Sequence, residues 1–188
     1  MSRQMLAFLY SDGLAADRLL ADVGYKLRAA GVNVAGLVQR NTVVRGRAKC
    51  DMELEELGSG TVVRISEDRG PLAKGCRLDQ NVLTQASHLM MGIVAQRPAI
   101  LLVNKFGKIE AEGGGLRDVI AAAAQSDIPT LVGVPFRNID QWRAFTSGFA
   151  DEAAGEADVI AWLADRGFHM ESEFADLDQP LARGAIVT

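Results

Sequence analysis

Ala99-Ile100-Leu101-Leu102-Val103-Asn104-Lys105-Phe106-Gly107-Lys108-Ile109-Glu110 is the stretch that decides the fold. Its first five residues form an unbroken apolar run, as expected of a strand buried on both faces of a parallel sheet. The run ends abruptly in an amide, a lysine and a Gly-Lys pair. In nucleotide hydrolases the corresponding strand ends in an aspartate that holds Mg²⁺, often followed by a glutamate that activates water. Here Asn104 and Lys105 stand in those places. Asparagine brings no charge to a metal, and a protonated lysine cannot act as a base. The strand end is neutral to cationic, and it suits an anion without its metal. The same residues also read as an ordinary solvated loop.

Upstream, Met5 to Tyr10 is a second short apolar run, closed by Ser11-Asp12-Gly13. Ser11 or Asp12 can cap the helix that follows, in which Ala16, Leu20, Val23, Leu27 and Ala30 recur at helical spacing. Asp17, Arg18, Asp22 and Lys26 are expected on its other faces, and Gly31 ends it. Asn33 to Val38 then reads as a strand, giving a β-α-β unit with parallel strands. A phosphate-binding loop in this first turn would need G-x-x-x-x-G-K-[ST]. The turn has one glycine, no lysine, and Asp12 where negative phosphate would sit.

Downstream, helices are expected around Val82 to Val94, after Gly113-Gly114-Gly115, around Trp142, Phe145 and Phe149, and around Val159, Ile160 and Leu163. Thr130 to Val134 is a further strand, and the three aromatic residues read as core. The middle of the chain differs. Arg40, Arg45, Arg47 and Lys49 crowd a segment poor in apolar residues, and Asp51 to Leu57 and Thr61 to Ser66 read as an antiparallel hairpin insertion. These elements predict one α/β domain over residues 1–188, a three-layer sandwich on a mostly parallel sheet, P-loop-hydrolase-like, with an acidic, poorly patterned tail from about residue 171.

Ligands of such sheets bind beyond the carboxyl ends of the strands. That rule selects Ser11-Asp12-Gly13, Gln39-Arg40, Asn104-Lys105 and Pro135-Phe136-Arg137. Arg77, just before the helix that Asp79 caps, is placed to meet an oxyanion at a positive helix end. Cys76 beside it reads either as a reactive thiol or as a small buried residue. Glu110-Ala111-Glu112 reads as a solvated loop, with a salt bridge to Lys108 or a cation as alternatives, and the three glycines as a weak anion nest. His88 and His169 lack partners at metal-ligand spacing, so no metal site is expected.

The segment Asn104 to Glu110 resembles a P-loop nucleoside-triphosphatase family found in thermophiles and other organisms. It is more sharply similar to a bacterial relative of that family, uncharacterised and often encoded beside molybdate-transport genes. The similarity rests on Ala35 to Gln39, Asp51-Met52, Gly75 to Asp79 and Val103 to Gly113. It implies a P-loop-type fold and a connection to molybdenum biology.

The net charge of −4 gives no case for nucleic acid. No apolar run reaches the ~20 residues that span a bilayer, and Met1 to Tyr10 is too short and too lightly charged for a signal peptide. A cytoplasmic protein is expected, with Cys50 and Cys76 as free thiols. Together these features predict non-enzymatic binding of a small oxyanion, molybdate or tungstate first, by Gln39, Arg40, Arg77, Asn104, Lys105 and Lys108. The alternatives are a divergent nucleoside-triphosphatase or nucleotide-binding regulator, and a scaffold for a transporter or cofactor enzyme. Self-association or a protein partner stays open.

Overall fold

The computed structural model describes residues 3–42, 51–64, 66–67, 77–78 and 80–170. The chain opens β1 (Met5–Tyr10), α1 (Gly13–Ala29), β2 (Val34–Thr42). Next come β3 (Asp51–Glu56), β4 (Val62–Arg64) and the short pair β5 (Ser66–Glu67) and β6 (Arg77–Leu78). The alternating pattern then resumes with α2 (Gln80–Ala95), β7 (Ile100–Val103), α3 (Lys108–Ala111), α4 (Arg117–Gln125) and β8 (Thr130–Pro135). A 3₁₀ turn at Phe136–Asn138 leads into α5 (Ile139–Thr146), β9 (Ala150–Ala153) and α6 (Glu156–Ala164).

Among the described residues the main sheet has order β4-β3-β2-β7-β8-β1-β9. The five strands from β2 to β9 run parallel, and β3 and β4 add an antiparallel hairpin to the β2 edge. This is the expected α/β architecture. Side chains of period two divide each buried strand between two cores. Leu101 and Val103 join Ala7, Leu9, Val132 and Val134 under α2, α4 and α5. Ile100 and Leu102 join Leu6, Phe8 and Leu131 under α1 and α6. The neighbouring strands β1 and β8 therefore send their following helices to opposite faces. That divergence opens a crevice at their carboxyl ends, where doubly wound sheets bind ligands.

Several local readings hold. Asp12 is the N-cap of α1, and Gly31, with φ of 78°, follows its C-cap Ala30. Others need correction. β2 runs on to Thr42 because β3 pairs with it from Leu37–Glu56 to Thr42–Asp51, so Gln39 and Arg40 lie inside a strand and not at its end. Phe149 is no core residue: Ser147 in the left-handed region (φ 50°) ends α5, and Phe149 emerges 71% exposed. In α6, Val159, Trp162 and Leu163 are buried, and Ile160 faces outward. β9, Ala150–Ala153, was not expected as a strand, since Ala-Asp-Glu-Ala has no β-branched or aromatic residue. Cys50, Cys76, Asp79 and the tail from 171 lie outside the described residues.

One close approach positions everything that follows β7. A Cβ on Gly133 would lie 2.4 Å from the backbone oxygen of Asn104 and 2.8 Å from Leu20 Cδ1. Phe106 N donates to Gly133 O at 2.7 Å, which draws the post-β7 loop over the β8 backbone. Gly133→Ala is expected to lower stability by about 1–3 kcal/mol, the cost of overpacking a rigid contact. Urea unfolding followed by tryptophan fluorescence measures it.

Candidate functional site

The turn after β1 is closed by its own acid. Asp12 Oδ1 accepts from Leu14 N (3.0 Å) and Ala15 N (3.2 Å), so two amides at the start of α1 are already capped. Setting Ser11 in the first glycine place of G-x-x-x-x-G-K-[ST] puts Asp17 in the lysine place. Asp17 was expected on a face of α1 other than the apolar one, and it is buried. Asn104 Nδ2 donates to Asp17 Oδ1 at 2.9 Å. The Asn104 Oδ1 is buried without a partner among the described residues. The two places that in a phosphate site hold the lysine and the metal-bound aspartate are thus joined here as carboxylate and amide. Burial of Tyr10, reinforced by the Asp17 charge and opposed by Arg137, pushes its phenol up to about 12.

The loop from Asn104 to Leu116 is built around two buried side chains. Phe106 is fully buried, edge-on to Trp142 at 5.2 Å and stacked with Phe145 at 5.6 Å. Asn138 Nδ2 donates to Phe106 O at 2.9 Å and fixes the loop to the turn after β8. Glu110, expected in solvent, is buried. Its carboxylate accepts from Gly107 N (2.9 Å) and Leu116 N (3.1 Å). A Cβ on Gly115 would lie 2.0 Å from Glu110 Oε1, and its φ of 59° also favours glycine. The Gly113-Gly114-Gly115 turn packs against the Glu110 carboxylate without donating to it: Gly113 N and Gly114 N donate to the backbone oxygens of Glu110 and Ile109.

Above this loop lies a cavity of about 280 Å³ whose polar lining is Gln39, Asn104, Lys105, Lys108, Glu110 and Arg137. Four of the six residues expected from the sequence therefore converge. The side chains of Arg40 and Arg77 lie outside the described residues, although the Arg77 backbone pairs with Glu67 in the small β5–β6 sheet. Lys105 is half-buried, with no ion pair among the described residues, and its stem lies over Gly107. Lys108 pairs with Glu112 at 3.7 Å on an exposed surface, where such a pair holds weakly. Asp17 takes one of the two N–H donors of the Asn104 amide, which leaves the second as a candidate donor to a bound anion. Arg137 was within the strand-end segments selected from sequence but was not chosen as a ligand; only the fold brings it opposite Lys105. No group of His, Cys, Asp and Glu that could hold a metal is found among the described residues.

A family model matches residues 5–162, which is most of the chain. The chain belongs to the DUF2478 family. That family is described as proteins of unknown function. A solved structure, the solution structure of a human cancer-related nucleoside triphosphatase, matches this DUF2478 chain with a TM-score of 0.59 and 16% identity, over 86% of this chain and 97% of that one. At that identity the likeness shows the fold alone, the α/β architecture described above. A Bradyrhizobium diazoefficiens protein, molybdenum import ATP-binding protein ModC 2, is 34% identical over 181 residues. The match takes in 96% of the DUF2478 chain, which spans only 20% of that protein's length.

Two measurements test the site's construction. Unfolded tyrosine ionises near its ordinary value of 10, whereas Tyr10 in the folded chain stays protonated to about 12. Between those values the unfolded state binds fewer protons, so stability falls as pH rises from 10 to 12. Tyr10→Phe should remove that part of the alkaline loss in urea melts across this window. Glu110→Gln offers one acceptor where two amides need one each, and should cost about 1–3 kcal/mol of stability, read by the same melts at neutral pH.

Proposed function

We propose that this DUF2478 protein binds a small oxyanion in the cavity at the carboxyl end of β7 and does not hydrolyse nucleotides. The observation that carries the reading is the convergence of Lys105, Lys108 and Arg137 on one 280 Å³ cavity. Two of these cations have no ion pair and the third has only an exposed one, among the described residues. Such a cluster repels itself unless an anion or a partner carboxylate joins it; Glu110 lines the same cavity and Glu112 pairs with Lys108, and charge-assisted hydrogen bonds from lysine and arginine are the interactions that hold a bound anion beside them. Lys105 and Arg137 are the principal ligands, Lys108 closes the mouth, and Gln39 lines the far wall. Arg40 and Arg77 remain candidate ligands on sequence grounds.

Molybdate and tungstate are the first oxyanions to test. They share phosphate's tetrahedral shape and charge, and the Bradyrhizobium relative carries molybdenum import in its name. Absence of hydrolysis follows from Asp12 and Asp17 in the first turn and from Asn104 and Lys105 at the end of β7. A cytoplasmic setting fits this reading; no helix of the described residues is long and apolar enough to cross a membrane.

A second reading has its own observation. The unit occurs as one fifth of a longer protein named as an ATP-binding import component. A likeness to one segment of such a component makes a scaffold or regulatory role at a transporter the competing class. A divergent nucleotide hydrolase is the third.

Titration calorimetry with molybdate, tungstate, sulfate, phosphate and ATP separates these readings. At least one bare oxyanion should bind, and Lys105→Ala and Arg137→Ala should each weaken it by about 1.5–3 kcal/mol. Unchanged affinity in both variants places the anion elsewhere. With Mg²⁺ and ATP or GTP the purified protein should release phosphate far below the ~10 s⁻¹ typical of enzymes; turnover near that rate makes it a hydrolase.

A further inference from the structure

We propose that the oxyanion held by Lys105 and Arg137 is the phosphate head of a small organic molecule, whose apolar body enters the leucine-lined interior of the same cavity. The proposal rests on the oxyanion reading and narrows it to a class: phosphate monoesters with a compact apolar group, in preference to bare molybdate, tungstate or phosphate. Size is the first argument. The cavity measures about 280 Å³. A bare tetrahedral oxyanion fills roughly the space of three waters, at about 30 Å³ each, and leaves most of that volume empty. Pockets for organic ligands begin at roughly 300 Å³.

The lining is sorted by depth. Leu37, Leu54, Leu83 and Leu116 line the cavity and are between 3% and 8% exposed, so they form its inner wall. They come from β2, β3, α2 and the residue before α4, so four separate elements bring aliphatic surface to one space. The cations stand further out: Lys105 is half-buried, and Lys108 and Arg137 are exposed. More of the wall is apolar than polar. A strongly hydrated inorganic dianion gains nothing from leucine surface, whereas an apolar group that covers it takes that surface out of water.

Charge selects the head. Lys105, Lys108 and Arg137 share the lining with one carboxylate, Glu110, and three cations less one anion leave two positive charges in excess. The Glu110 oxygens already accept from Gly107 N and Leu116 N, which turns them into the loop. The Lys108–Glu112 pair is exposed and gives way easily to a stronger anion. A phosphate monoester carries about −1.5 to −2 charges at pH 7 and matches the excess, which a single carboxylate meets only in part. Guanidinium and ammonium donors suit its charged oxygens. With those oxygens turned to the cations at the rim, the ester oxygen and its organic group face the leucines.

Titration calorimetry on the full chain with inorganic phosphate, molybdate, phenyl phosphate and phenol tests this. Phenyl phosphate should bind at least about tenfold tighter than either bare oxyanion, with the more negative heat-capacity change that buried apolar surface brings. Phenol should bind more weakly than phenyl phosphate, because it lacks the head. Leu83→Phe and Leu54→Phe fill the interior from two different elements. In each variant that keeps a cooperative thermal transition, the ratio of phenyl phosphate to inorganic phosphate affinity should fall at least about fivefold. The comparison of ligands on the unaltered chain decides the matter even if neither variant folds. Three results overturn the inference: a bare oxyanion bound as tightly as phenyl phosphate, phenol bound as tightly as phenyl phosphate, or an unchanged ratio in a folded variant. In the first case the oxyanion reading stands and only the organic body is wrong. If neither phenyl phosphate nor any bare oxyanion binds, the oxyanion reading falls and this inference falls with it.

Discussion

The buried carboxylate of Glu110 receives two backbone amides, from Gly107 and Leu116, and the cationic cavity depends on that pair of hydrogen bonds. They close a ring of chain around one side chain. Lys105 and Lys108 leave that ring next to its hydrogen-bonded start, so their stems are aimed by Glu110 even though neither touches its charge. Gly115 is small because Glu110 Oε1 occupies the space a Cβ would need. Phe106 anchors the same ring from below through Trp142 and Phe145. A loop that would otherwise be mobile is fixed by one acid and one aromatic.

This acid has a counterpart at the start of α1. Asp12 takes two free amides of that helix, much as Glu110 takes the amides of Gly107 and Leu116. Both places are sites where a phosphate-binding fold offers backbone N–H groups to a ligand. In this chain each is filled by a side chain from within. The positive charge that remains sits on lysine and arginine side chains at the ends of β7 and β8. On the oxyanion reading proposed above, a bound anion would be held by side-chain cations, which tolerate a range of tetrahedral shapes better than a backbone cradle contoured to a polyphosphate.

Much of the fold was legible because strongly buried strands and capped helices carry local signals. The apolar run ending at Val103, the Asp12 cap and Gly31 each report a local energetic necessity, and each lies where it was expected. Features set by tertiary context were not legible. β9 is a strand because β1 offers it an open edge, and its sequence gives no hint of that. Glu110 and Asp17 are acids, and composition alone sends acids to the surface; only the amides around one and Asn104 beside the other make burial tolerable. The site was legible in part for the same reason. Lys105 and Lys108 follow a recognisable strand end, but Arg137 joins them only through the adjacency of β7 and β8. The β2 continuation into the hairpin likewise moved Gln39 from a strand end to a cavity wall.

The two hydrophobic cores share no side chain and meet only through the hydrogen-bonded ladder between them. Substitutions separated by such a ladder tend to combine additively. Away from the Asn104–Asp17 hydrogen bond, which ties α1 to the end of β7, the chain can therefore drift on its α1–α6 side with little effect on the face that carries Lys105, and the reverse. For the lineage this means that two surfaces of one small protein are free to diversify at different rates, so relatives that keep one face unchanged can still differ widely in what the other face recognises.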